Sequence, residues 1–272
     1  MRQQRIASLG LILAMSASLA WADGPSEPAP EPVVPAPAPS PSLVFTLGGG
    51  LRVQPEYFGS DDLYTGFSPS FSLHYLRLGP RLSIGDPDPK AIRPGLGFTP
   101  SFRYIRERDA SEHDDLAGLD DIDQALELGF GLTYSQRNFR GFAVVRQGFG
   151  GHEGVVGEAG ADLVGYPSDR LTLYGGPRVL WGSDGYADTY FGVNGDESAA
   201  SGLPAYEAGG GLLSAGIELG ARYELNDRWG IEGSITYDRL MNDAADSPIT
   251  EQGSEDQFGA RIGLTRTFSF GF

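Results

Sequence analysis

Three histidines and one run of carboxylates are the residues best suited to chemistry. His74 stands two places from Ser72. On a strand, that spacing puts a base and a hydroxyl on one face, as in a nucleophile–base pair. No partner acid or oxyanion arrangement accompanies them, so they read as polar side chains among the serines of "FSPSFSLHY". His152 sits in "GGHEG", which reads as a tight turn, and His113 lies within the acidic run. None of the three has metal-ligand spacing. The run itself, "RDASEHDDLAGLDDID", carries Asp109, Glu112, Asp114, Asp115, Asp120, Asp121 and Asp123. Such a cluster could hold calcium or share divalent ions with phosphates, but it lacks the ordered ligand spacing of a calcium loop. A solvated acidic loop is the expectation, with no catalytic residue, metal or other cofactor.

These residues are spread over 272 positions with a formal charge of −16 and a mean hydropathy of −0.22. Only Lys90 is lysine, and no Lys/Arg cluster follows a phosphate backbone, so no nucleic-acid partner is expected. The N-terminus reads as a leader: Arg2 and Arg5, an apolar stretch from Ile6 to Leu19, then Ala20-Trp21-Ala22 as cleavage site. Residues 1–22 are therefore read as a signal peptide, whose removal takes the charge to −18. Residues 23–42 form a proline-rich spacer, extended in character. There is no cysteine, hence neither disulfides nor a lipid anchor on an N-terminal cysteine.

From Leu43 to Phe272 the signal is period two. In "LELGFGLTY", Leu126, Leu128, Phe130, Leu132 and Tyr134 alternate with Glu127, Gly129, Gly131 and Thr133. In "LSAGIELGARYEL", Leu213 to Leu225 alternate with Ser214, Glu218, Arg222 and Glu224. No convincing amphipathic helix is visible. Alternation fits a soluble sandwich with apolar faces inward or a transmembrane barrel with apolar faces outward. Charges on the polar parity (Glu127, Glu158, Asp162, Arg178, Glu218, Arg222, Glu232, Arg261) and aromatics near strand ends (Tyr75, Tyr104, Tyr134, Trp181, Tyr223, Trp229) favour the barrel. Strands of about 10 to 14 residues, against about 5 to 6 in soluble sheets, favour it too. Phe268, Phe270 and Phe272 share one face of the last strand. They present aromatics to lipid and look like the terminal signal that barrel-assembly machinery reads.

The expected fold is all-β: an antiparallel up-and-down transmembrane barrel of ten to twelve strands, with short periplasmic turns and long outer loops. The count hinges on Tyr75/Leu76, where the apolar parity flips. A bulge there gives ten strands, a hairpin twelve. So few strands leave a narrow bore that inward charges would fill.

The long loop after Trp181 mixes Asp184, Tyr186, Asp188, Tyr190 and Phe191, then runs through Ser201, Gly202 and Leu203 to Tyr206. Tyrosine among small polar residues is the composition of a recognition surface. The alternative is an ordered loop folded over the barrel mouth. "SDGYADTYFGV", "SGLPAYEAGGGL" and "YDRLMNDAADSPIT", the last with Asp243, Asp246, Ser247 and Pro248, resemble the MipA/OmpV family of outer-membrane proteins. "PEYFGSDD" and the terminal aromatic strand fit as well. The resemblance implies residence in the outer membrane of a Gram-negative bacterium, in contact with lipid and lipopolysaccharide. It implies a non-enzymatic scaffolding or structural role, with a possible link to a lytic transglycosylase and a murein synthase, or to osmotic response. It offers no catalytic residues to carry over. A narrow small-solute channel and an outer-membrane lipid-modifying enzyme are the alternatives.

Overall fold

Alternating strands of this length pair with their chain neighbours wherever a short polar turn reverses the chain, and the computed structural model follows that logic. It describes residues 41–79 and 82–271. The predicted signal peptide, nearly all of the proline-rich spacer and Phe272 lie outside the described residues. One antiparallel sheet holds eleven strands: β1 (Leu43–Pro55), β2 (Leu63–Leu78), β3 (Leu82–Gly85), β4 (Gly95–Ile105), β5 (Ala125–Gln136), β6 (Phe139–Gly150), β7 (Val155–Ser168), β8 (Leu171–Gly182), β9 (Gly211–Glu224), β10 (Trp229–Leu240) and β11 (Asp256–Phe270). The first strand pairs with the last, Leu43 opposite Phe270, and the sheet's two edges are β3 and β4.

The direction of pairing fixes the count. Eleven strands of alternating direction would make β1 and β11 parallel, yet they are antiparallel. The odd one is β3, a four-residue stub that pairs only with the end of β2 and leaves ten strands that cross. The parity flip is a bulge: Val44 opposes Tyr75 and Phe45 opposes Leu73, so His74 is the extra residue. The chain then reverses beyond Leu78 rather than at Tyr75. Gly85 closes the stub with φ +83°, where a Cβ would lie 1.8 Å from the His74 carbonyl oxygen.

The sheet faces the way a membrane demands. Leu96, Leu163, Phe67, Phe130 and Ile262 point outward and are at least 62% exposed, while Glu127 and Asp162 are fully buried inside. Apolar outside and charged inside is the arrangement that lipid selects. Near the end of β11, Phe268 and Phe270 stack on Phe45 of β1 with centroids 5.4 and 5.9 Å away, so aromatics tie the closing strand pair together on its outer face.

Three short helices also form, against the expectation of none: α1 (Asp184–Phe191), α2 (Gly195–Ser201) and α3 (Pro248–Gln252). At five to eight residues they are too short to display a helical period in sequence. Their start signals were present nonetheless. Asn194 and Glu197 form a reciprocal capping box, and Ser247 caps α3 with Pro248 in its first turn.

Candidate functional site: the outer cap and the charges beneath it

The long loops all leave the same end of the barrel, and they fold together there. Their apolar residues make two clusters: Tyr186, Ala187, Tyr190, Phe191, Ala208 and Ala244 in one, Tyr57, Leu116, Leu119, Val193 and Ile249 in the other. Loops that would otherwise be mobile thereby gain a core of their own.

The signature residues build this cap. Three successive backbone N–H groups are each held by a different aspartate. Ala208 donates to Asp188 (3.3 Å), Gly209 to Asp243 (2.7 Å) and Gly210 to Asp184 (2.8 Å). Tyr206 donates its hydroxyl to the Asp243 carbonyl at 3.0 Å and forms a two-residue bridge with Val193. The Ser247 hydroxyl donates to the Phe191 carbonyl (2.6 Å) and accepts from Ile249 N–H (3.2 Å), tying α1 to α3. Ser201 accepts from Leu203 N–H at 3.2 Å, across Gly202, whose φ of +80° ends α2 in the left-handed region. Tyr186 and Phe191 are at most 1% exposed and Pro248 is buried, whereas the Asp246 side chain faces solvent. The loop is therefore the ordered cover over the mouth, with its tyrosines turned inward rather than displayed. Burial pushes the Tyr186 phenol up to about 12 and Tyr190 up as well.

The acidic run is half of this cover. Leu116 and Ala110 are buried, and the carboxylates remain at the surface or cap short turns. Asp109 accepts from both the side chain and the backbone of Ser111, which holds its pKa below the usual carboxylate value. Among the described residues no group of three or more His, Asp or Glu is placed to hold a metal ion. The outer loops (56–62, 106–124, 151–154, 183–210, 241–255) contain most of the chain's 36 acidic residues and no basic ones except Arg106 and Arg108.

Below the cap the bore is crossed by ion pairs. Arg146 bonds Glu127 (2.8 Å), Glu158 (3.0 Å) and the Ser101 hydroxyl (3.2 Å). His152, expected in a turn, is buried 3.4 Å from Glu127, its ring edge-on to Tyr186 and Tyr190. Further down, Arg178 joins Asp162 (2.7 Å) to Glu218 (3.0 Å), and Arg261 lies 3.8 Å from Glu232. Buried charges persist only when paired, so these strands fix one another's register through the lumen. The sequence reading missed Arg103, Arg108 and Arg146; strand parity places Arg103 and Arg146 inward and was the available signal. Ser72 and His74 do not pair. The His74 ring bonds Thr46 Oγ1 at 2.8 Å, which in turn bonds Thr267.

At the opposite, periplasmic end, residues 86–94 leave β3 and lie across the opening. Lys90 reaches Glu224 on the far wall, 3.4 Å away.

Fold, facing and loop asymmetry define a class, the bacterial outer-membrane β-barrel. The family model described as "MltA-interacting protein MipA" matches residues 47–268, and the chain belongs to that family. The MltA-interacting protein of Escherichia coli is 30% identical over 154 residues, covering 55% of this chain and 59% of that one. Outer membrane protein OmpV of Vibrio cholerae is 36% identical over 85 residues, 31% of this chain and 32% of that one. The chain thus matches less than two thirds of the length of these relatives. Among solved structures, the NanC porin covers 84% of this chain and 100% of its own at 8% identity and a TM-score of 0.37. Outer membrane protein OprG of Pseudomonas aeruginosa gives 85%, 98%, 12% and 0.31. Likenesses that loose add nothing to the case, which rests on the family match. The protein is an outer-membrane barrel of the MipA/OmpV type.

Proposed function

We propose that this barrel is a non-enzymatic scaffold that offers its periplasmic rim to murein-remodelling enzymes. One observation carries the reading. The signature loops turn their aromatics and aspartates into the cap itself, so the ordered outer end is occupied with closing the mouth. The free surfaces are then the short turns and the N-terminal side of β1, where a proline-rich stretch, residues 24–42, joins the barrel. Its composition is that of an extended spacer. The name of the Escherichia coli relative, an MltA-interacting protein, supports a murein transglycosylase as partner. The cap and the paired charges favour this role over a small-solute channel.

Two further contacts belong to the same proposal. The acidic outer loops share divalent ions with lipopolysaccharide phosphates, and the terminal strand with Phe268, Phe270 and Phe272 is what the assembly machinery reads. The test is a pull-down of murein enzymes from envelopes by the whole chain and by a chain lacking residues 24–42. Loss of recovery on deletion is expected. Equal recovery removes the spacer from the account, and no recovery by either chain removes the scaffold. Stepwise conductance in planar bilayers at ordinary salt would favour the channel instead.

A further inference from the structure

The ring of strands is not hydrogen-bonded all the way round: β2 and β4 are neighbours without a ladder between them. On β2, Leu63 to Leu73 have no strand partner on the side away from β1, because β3 pairs only with Tyr75 to Leu78. On β4, Gly95 to Ile105 pair with β5 alone. The two free edges match in length and lie at membrane depth, with Phe67, Phe71, Phe98 and Phe102 exposed on their outward faces. A bare strand edge does not persist against hydrocarbon, and it needs a strand or a water-filled space beside it. Along much of the wall, charges tie adjacent strands through the bore: Arg146 ties β6 to β5 and β7, and Arg178 ties β8 to β7 and β9. The middle of the seam presents inward only Gly66, Ser68 and Ser70 on one side and Gly97, Thr99 and Ser101 on the other. Two of these hydroxyls bond elsewhere. Ser70 donates to Glu232 on β10 and Ser101 accepts from Arg146 on β6, each at 3.2 Å. Each edge also carries an outward proline, Pro69 and Pro100, and proline within a strand belongs at an edge or an irregularity. Pro177 of β8 obeys the same rule, since the β7–β8 ladder is interrupted beside it.

The slot is bounded at both ends. At the outer end the Arg106 guanidinium lies over the Tyr64 ring, 4.8 Å from its centroid, and Glu56 meets His113 at 3.0 Å. At the periplasmic end β3 is paired to β2, and the chain runs on from it to β4. With its ends held, the slot has no room for a strand of a second copy along its whole length. A single inserted strand would also run parallel to one of the two edges. β2 leaves an outer loop and β4 enters one, so they suit each other as antiparallel partners. The cap covers the bore above and residues 86–94 cross it below, which leaves the seam as the way out sideways. We infer that the seam is a lateral gate, which alternates between this slot and a closed ten-stranded wall in which β2 and β4 pair. Open, it passes amphiphiles between membrane and bore, the hydrocarbon tail on the slot's lipid side and the polar head among the paired charges of the bore. Small inward residues leave that path clear, and two prolines that cannot donate keep the closing ladder weak. The gate lies apart from the periplasmic rim and stands or falls independently of the scaffold role.

The experiment uses the purified chain in phospholipid nanodiscs, and the chain has no cysteine of its own to interfere. Ser68→Cys with Ser101→Cys locks the seam by a disulfide, in nearly the register that the Tyr64–Arg106 contact sets. Ser70→Cys with Ser101→Cys covers the neighbouring register. A fluorophore attached after oxidation at Thr236→Cys, which lines the bore from β10, reads the arrival of lysophosphatidylcholine carrying a nitroxide on its head. A fluorophore at Thr99→Cys reads a tail-labelled phospholipid at the slot itself. Both should be quenched in the reduced chain. Oxidation of the seam pair should abolish the quenching, and reduction should restore it. The same nitroxide head without a tail should act alike on the locked and unlocked chains. Heat-modifiable gel mobility reports whether each variant is folded, and the reversal by reduction guards against a misfolded lock. Three results overturn the gate. Folded chains show no quenching at either position, the locked chain is quenched as strongly as the unlocked one, or neither cysteine pair forms its disulfide in the folded barrel.

Discussion

At the outer end of the barrel, Tyr186, Leu116, Phe191 and Ile249 are shielded from water, and the loops that carry them are laced together by hydrogen bonds to aspartate and serine. At the periplasmic end, the stretch that crosses the opening reaches the far wall through Lys90 and Glu224, with the lysine side chain 48% exposed. The first closure rests on buried apolar packing and on hydrogen bonds, of which Ser247 to Phe191 is buried, and salt scarcely touches these. The second rests on an exposed ion pair, which contributes little and is screened. The difference teaches which end is able to move. An outer surface that meets the environment is locked, while the mouth that faces prospective partners is lightly fastened.

The comparison is broken most directly by Phe191→Ala. It removes a ring from the cap core and should cost about 3–5 kcal/mol, read by urea titration of the folded barrel in detergent. Arg146→Ala should cost a similar amount, about 3–5 kcal/mol, because it strands the buried Glu127 carboxylate. If either costs less than about 1 kcal/mol, the outer half is not packed as described.

Alkaline pH should single out the cap. Tyr186 and Tyr190 have raised folded-state values, so their contribution is complete below about pH 10, where an unfolded tyrosine titrates. It is then lost as pH rises toward about 12, the value for Tyr186. Protease cleavage within residues 183–210, followed against tyrosinate absorbance, should begin in that window. Tyr186→Phe combined with Tyr190→Phe should move the onset upward. Cleavage that starts near neutrality would contradict a closed cap.

Ser247→Ala, which deletes the α1–α3 tie and a helix cap, should cost about 1–2 kcal/mol. Lys90→Ala should cost under about 0.5 kcal/mol, with its small effect vanishing at high salt. A larger loss there would mean that the two ends are held alike.

The strands were legible in the sequence because the membrane makes their alternation nearly strict: Leu126 to Tyr134 and Leu213 to Leu225 read straight off as lipid and lumen faces. The strand count was not, because one bulged residue, His74, inverts parity without reversing the chain, and sequence alone does not separate the two. The cap was legible in part. Its residues stood out, and an ordered cover was one of two readings. Tyrosine and aspartate are, however, as suited to a displayed surface as to a buried core and its latches. Burial decides between them, and it depends on five loops meeting far from one another in sequence. Strand parity marked Arg103 and Arg146 as inward, but which carboxylate each meets is a matter of side-chain geometry and left no pattern to find.

The most direct test of the closed outer end exploits the absence of cysteine. Three single variants, Asp246→Cys, Ala187→Cys and Asp227→Cys, are exposed in intact cells to a membrane-impermeant maleimide. The expected result is rapid labelling at 246, on the cap's outer surface, and protection at 187 within its core. Position 227, on a periplasmic turn, should label only after the outer membrane is permeabilised. Labelling at 187 as fast as at 246, or at 227 in intact cells, would contradict the cap or the orientation on which the account rests.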